Sequence, residues 1–143
     1  ATISSMTIEM DGRLEPSSQP NSAYGIVFRY QDENNYNVFA VDGMGRYSIW
    51  VRLNGEWIEL REQDEHWTSD PIIQKIGSSN LLSITLLGNT LIGYVNGRQV
   101  TRVEDGSLKN GRVGIYFATD DGEATVSVDV YRVVSTIPSM TGG

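Results

Sequence analysis

The stretch YGIVFRYQDENNYNVFAVDGMGRYSIWVRL, Tyr24–Leu53, alternates apolar and polar side chains almost throughout and breaks only at QDENN and at DGMG. A period of two marks a strand with one buried face, because successive side chains leave the backbone on opposite sides. The last segment is the clearest. Tyr47, Ile49, Val51 and Leu53 share one face, and Arg46, Ser48, Trp50 and Arg52 share the other. Two further strands precede it, with Ile26, Phe28 and Tyr30 on one parity of the first and Tyr36, Val38 and Ala40 on one parity of the second.

The same period extends outward in both directions. Met6, Ile8 and Met10 mark an opening strand, and five more are expected around residues 81–87, 90–96, 98–103, 112–119 and 124–134. Weaker strands are expected at residues 56–61 and 72–75, which brings the total to eleven, and no segment carries a capped helical period. Asp42-Gly43, Asn54-Gly55, Gly88-Asn89, Asn96-Gly97, Asp105-Gly106, Asn110-Gly111 and Asp121-Gly122 fall between the runs. Such pairs supply the positive φ of tight hairpin turns. Many short strands at even spacing predict an all-β sandwich or barrel. The Ser/Pro-rich segment LEPSSQPNSA at residues 14–23 reads as a loop.

A chain of 143 residues fits one domain with its own core. We expect that domain over residues 1–134, with 135–143 as a linker or tail. The chain opens at Ala1 inside a strand-like pattern and ends in STIPSMTGG, which reads as a domain cut from a longer protein. The absence of cysteine rules out disulfides, thiolate metal sites and a Cys nucleophile. A net charge of −7 repels phosphate backbones, so no nucleic-acid partner is expected. No apolar run is long enough to span a bilayer, so no membrane insertion by this domain is expected.

Three stretches, read in order, carry a family resemblance: YGIVFRYQDENNYNVF (24–39), WTSDPIIQKIGSSNLLSITLLGNTLIGYVNGRQV (67–100) and DGSLKNGRVGIYFAT (105–119). Together they resemble the concanavalin A-like lectin/glucanase superfamily. More narrowly, they resemble laminin-G-like and keto-disaccharide-hydrolase-like (family-16-like) jelly-roll domains of bacterial multidomain proteins. The resemblance runs from about Met6 to Val134. It implies a two-sheet antiparallel β-sandwich of jelly-roll topology and an extracytoplasmic place in a longer chain. In such a sandwich Phe28, Ile49, Leu82 and Ile115 are expected between the sheets.

Hydrolases of this superfamily carry a Glu-x-Asp-x-Glu strand motif, which places acid and nucleophile on one face. The nearest segment here, EQDEHW, offers Glu62, Asp64 and Glu65 but has His66 and Trp67 where the last acid belongs. The motif is absent, and His66 is the only histidine. The resemblance also implies a structural Ca²⁺ near the final strand, with Asp129 as ligand and Asp11 as its partner.

Sugars are recognised by aromatic faces with Arg, Asn or Asp nearby for the hydroxyls. Strand parity puts Trp50 on one face with Arg46 and Arg52, opposite the apolar stripe. Arg29, opposite in parity to Phe28, is expected on that face, with Tyr36, Trp67 and Tyr94 along its rim. On this reading Trp50 is largely exposed; the alternatives are cation–π stacking alone, or packing under a loop. The expected role is a non-catalytic accessory module that recognises carbohydrate. The rivals are a structural or protein-interaction laminin-G-like domain with no small ligand, and a glycoside-acting hydrolase.

Overall fold

Alternation gives each strand one apolar face, and two sheets bury those faces against each other. The structure, a computed structural model, describes residues 5–61, 67–120 and 122–136. The acidic candidates Glu62, Asp64 and Glu65, together with His66, lie outside the described residues.

The strands are β1 (Ser5–Leu14), β2 (Ala23–Asp32), β3 (Asn35–Asp42), β4 (Arg46–Leu53), β5 (Glu56–Glu59), β6 (Thr68–Ser69), β7 (Ser79–Leu87), β8 (Thr90–Val95), β9 (Arg98–Glu104), β10 (Arg112–Ala118) and β11 (Val126–Thr136). One sheet runs β11-β1-β7-β8-β9, the other β10-β2-β3-β4-β5 with β6 on β4. Every pairing is antiparallel. The two-sheet sandwich is therefore the one the sequence and its resemblance lead one to expect. The final strand continues to Thr136.

Two hairpins show how turn chemistry sets register. Asn54 and Gly55 both have positive φ, as do Asn96 and Gly97. That is the signature of a two-residue turn whose twist matches its strands. It fixes Arg52 opposite Trp57 and Leu53 opposite Glu56. At the turn between β3 and β4, the buried Asp42 carboxylate accepts the backbone N–H groups of Met44 and Arg46 and the Arg46 guanidinium.

The core holds Ile8, Met10, Ile26, Phe28, Phe39, Ile49, Leu82, Ile84 and Leu91, all fully buried. Gly25 allows β2 and β3 to approach closely. A Cβ there would stand 2.2 Å from the Phe39 carbonyl oxygen and 2.6 Å from the Ala40 Cα, and neither backbone atom can swing aside.

Three expectations need correction. Ile115 has the inward parity, pairing with Ile26, but is 48% exposed. The reason is position: β10 and β11 are edge strands, one in each sheet. Phe117, Val128, Tyr131 and Val133 on these two strands are exposed as well. Next, residues 72–75 form no strand. The Asp70 side chain takes the Ile72 N–H, and Asn80 bonds both the N–H and the carbonyl of Gln74. Side chains thus satisfy backbone groups that a neighbouring strand would otherwise pair. The strand in this region is β6 instead.

The third correction concerns Arg29. It has φ 51° and sits where β2 carries one residue more than β10, a bulge. Its side chain leaves the expected face, is buried, and donates to the carbonyl oxygens of Asp105 (2.9 Å) and Gly88 (2.5 Å). Burial lowers its pKa and the Asp105 charge opposes that shift. Arg29 is a tether between β2 and the loops around β7, β8 and β9. The bulge also flips the parity beyond it, so Tyr30 emerges on the outer face beside Tyr36.

Candidate functional site

The six-stranded sheet is apolar on both faces. Its outer face carries a second cluster of Val38, Ala40 and Trp50, with Val27, Tyr36, Trp67 and Tyr116 packed on it. The register explains the grouping. Val38 lies opposite Trp50, Tyr36 opposite Arg52, and Tyr116 opposite Gly25. Directly opposite residues of antiparallel strands share a face. The stripe Tyr36, Val38, Ala40 thus belongs to this outer cluster, whereas Phe39 and Val41 enter the core.

Trp50 is the hub. Trp57, Trp67 and Tyr116 meet it edge-on, with centroids 5.6, 5.9 and 5.4 Å away. It is only 9% exposed, so the expectation of a largely exposed indole is corrected. Its indole N–H is enclosed with no hydrogen-bond acceptor. Small side chains beside this hub leave a depression. Ala23 lies opposite Ala118, and Gly25 opposite Ala40. The resulting cleft holds about 370 Å³ and is walled by Trp50, Trp57, Trp67 and Tyr116. Asn21, Ser48, Glu59 and Asp120 supply its polar groups.

Trp57 is the most open of the rings, 47% exposed, and the Arg52 guanidinium lies 4.8 Å from its centroid. Arg46 approaches the Trp67 ring at 5.9 Å while paired to Asp42 at 2.6 Å. Glu59 accepts from the Ser48 hydroxyl at 2.7 Å and from Arg61 Nε at 2.6 Å. Asn21 donates to Asp120 at 3.2 Å. Burial, then the neighbouring Tyr36 and Asp120, raise the Tyr116 pKa, so its phenol is an O–H donor at neutral pH. Burial raises the Tyr36 pKa too, against the attraction of Arg52.

Of the residues singled out in the sequence, Trp50, Arg46, Arg52, Tyr36 and Trp67 come together at this cleft or its margin. Arg29 does not, and neither does Tyr94. Leu91 and Val95 of β8 face the core, so the intervening Tyr94 projects from the outer face of the other sheet. Ser48, which parity sets on the Trp50 face, lines the cleft as well, whereas Trp57, Tyr116, Glu59, Asn21 and Asp120 were missed. Two of them had a readable signal. The Asn54-Gly55 hairpin places Trp57 across from Arg52, and Tyr116 has the parity opposite to Ile115.

The two carboxylates expected to hold calcium lie on neighbouring strands of the other sheet. Asp129 is exposed, at a bulge where β11 carries one residue more than β1, and Asp11 pairs with Val130 beside it. Glu15 raises the Arg13 pKa by hydrogen bond and charge, and the Asp129 charge adds to it. Among the described residues no three acidic or histidine side chains gather. Ca²⁺ takes six to eight oxygens, so an ion on Asp129 and Asp11 would draw its remaining ligands from carbonyls and water. If the ion binds there, a chelator should lower the melting temperature, and Asp129→Ala should remove that drop. Identical melting curves with and without chelator would dispose of the site.

No family model and no curated protein matches the sequence. Similarity emerges in three dimensions. A carbohydrate-binding module, CBM66 from Bacillus subtilis, superposes with TM-score 0.75 at 18% identity, over 91% of this chain and 74% of that one. Sheep galectin-11 gives 0.65 at 13% identity over 94% and 92%. The alginate lyase AlgAT5 of polysaccharide lyase family 7 gives 0.54 at 14% identity over 94% and 60%. The fold shared with these structures is the two-sheet jelly-roll β-sandwich.

Proposed function

We propose that this domain binds carbohydrate in the aromatic cleft and performs no catalysis there. The observation that carries the reading is the cleft itself: an open indole, Trp57, stands beside hydrogen-bonding side chains on a rigid sheet face. Sugar rings present C–H faces to aromatic rings and hydroxyls to polar groups, and this cleft offers both. The likeness to a carbohydrate-binding module and to a galectin supports it. Glu59 is anchored by Ser48 and Arg61, which suits a fixed acceptor better than a mobile acid–base group. An extracytoplasmic place in a longer protein, where polymeric glycans are met, goes with this role.

Titration of the domain with neutral oligosaccharides, followed by tryptophan fluorescence and calorimetry, tests the reading. Binding in the micromolar to millimolar range is expected, because the cleft encloses its ligand only in part. Trp57→Ala should weaken it at least tenfold while shifting the melting temperature little, since that ring is half open. Unchanged affinity in Trp57→Ala, or no binding by the parent, overturns the reading.

A second reading, a protein-contact domain without a small ligand, is favoured by the exposed apolar side chains of β10 and β11. It predicts concentration-dependent association in sedimentation and silence in the glycan titrations.

A further inference from the structure

The cleft also specifies the charge of its ligand, an inference that rests on the carbohydrate reading. No Lys or Arg is among the described side chains that line it. Two nearby guanidinium groups are paired with carboxylates, Arg46 with Asp42 and Arg61 with Glu59, and Arg52 stacks on Trp57 at the margin. Two carboxylates do line it, Glu59 and Asp120. Glu59 is nearly buried and already neutralised by Arg61. Asp120 is exposed, and the neutral amide of Asn21 donates to one of its two oxygens. Asp120 thus keeps one oxygen that the Asn21 amide does not occupy.

That carboxylate oxygen calls for a ligand group that donates. Hydroxyl groups of a sugar donate to a carboxylate through charge-assisted bonds, roughly twice as strong as neutral ones. A uronate or sulfate ester brings further acceptors and a like charge, on a chain whose net charge is already −7. Like-charge juxtaposition disfavours such a partner. We propose that Asp120 is a specificity-determining residue that selects neutral, hydroxyl-bearing glycans and rejects polyuronates and sulfated glycans.

The test uses matched pairs: galacto-oligosaccharide against oligogalacturonate, and dextran against dextran sulfate, titrated calorimetrically at low and high salt. The parent should bind the neutral member of at least one pair about tenfold or more tightly than its acidic counterpart. Salt should narrow that gap, because screening weakens exclusion between exposed charges. Asp120→Asn keeps the size and removes the charge. It should lower affinity for the neutral member about three- to tenfold and narrow the gap, with an unchanged melting curve. Equal or tighter binding of the acidic member, or an Asp120→Asn variant with parental affinities, overturns the inference while leaving carbohydrate binding standing. If the parent binds neither member of either pair, and no other neutral oligosaccharide, the carbohydrate reading fails and this inference falls with it.

Discussion

Replacing Trp50 with alanine should lower the unfolding free energy by about 3–5 kcal/mol and abolish the cleft with it. The indole is packed against Val38 and Ala40 beneath and ringed by Trp57, Trp67 and Tyr116. Each edge-to-face contact contributes roughly 0.5–1.5 kcal/mol beyond area burial. Relaxation into the void is limited because Val38 and Ala40 stand on β3, a central strand buried on both faces. The three surrounding rings would lose their common support, so glycan binding should disappear even in conditions where the variant stays folded. Trp50→Phe should recover part of the stability. Urea titration of both variants decides the matter: a loss below about 1 kcal/mol for Trp50→Ala would mean that the indole is not the hub of this face. Trp57→Ala makes the instructive contrast, since it removes a ligand contact and little packing.

This expectation reverses the one that strand parity supports, and the reversal shows where sequence reasoning stops. Parity correctly separates Trp50 from Tyr47 and Ile49. What it leaves open is whether the second face meets solvent or another set of side chains. That depends on Trp57 and Tyr116, which arrive from β5 and β10, and on Trp67 just before β6. The hairpin at Asn54-Gly55 is local, so Trp57 was within reach of sequence reasoning. Tyr116 comes from a strand that follows β9 in the chain yet pairs with β2, a crossover between sheets that alternation does not encode. Arg29 failed for a different reason. One extra residue in β2 flips every side chain after it, and nothing in the residue types around Phe28 and Arg29 announces a bulge. The strands flanking Asn54-Gly55, Gly88-Asn89 and Asn96-Gly97 are legible because such pairs announce their turns chemically, whereas 72–75 carries no such turn signal and forms no strand.

Phe28→Ala should be comparably damaging, at about 3–5 kcal/mol, and it tests the other face of the same sheet. Phe28 is fully buried, in one cluster with side chains of both sheets. It also immediately precedes the bulge at Arg29, so its ring helps to hold the point where β2 changes parity. A void there would loosen the Arg29 bonds to Gly88 and Asp105 as well as the apolar packing. The control is Ile115→Ala. Both residues have inward parity, and sequence alone puts both in the core. Yet Ile115 lies on an edge strand with half its surface in water, so its truncation should cost under about 1 kcal/mol. At roughly 2–4 °C per kcal/mol for a chain near this size, the two variants should be separated by many degrees in thermal melting. Equal losses would mean that β10 is covered in solution, by a second copy or another partner, and that its exposed face is an interface. A small loss for Phe28→Ala alone would instead show that the sheets are not packed about this ring.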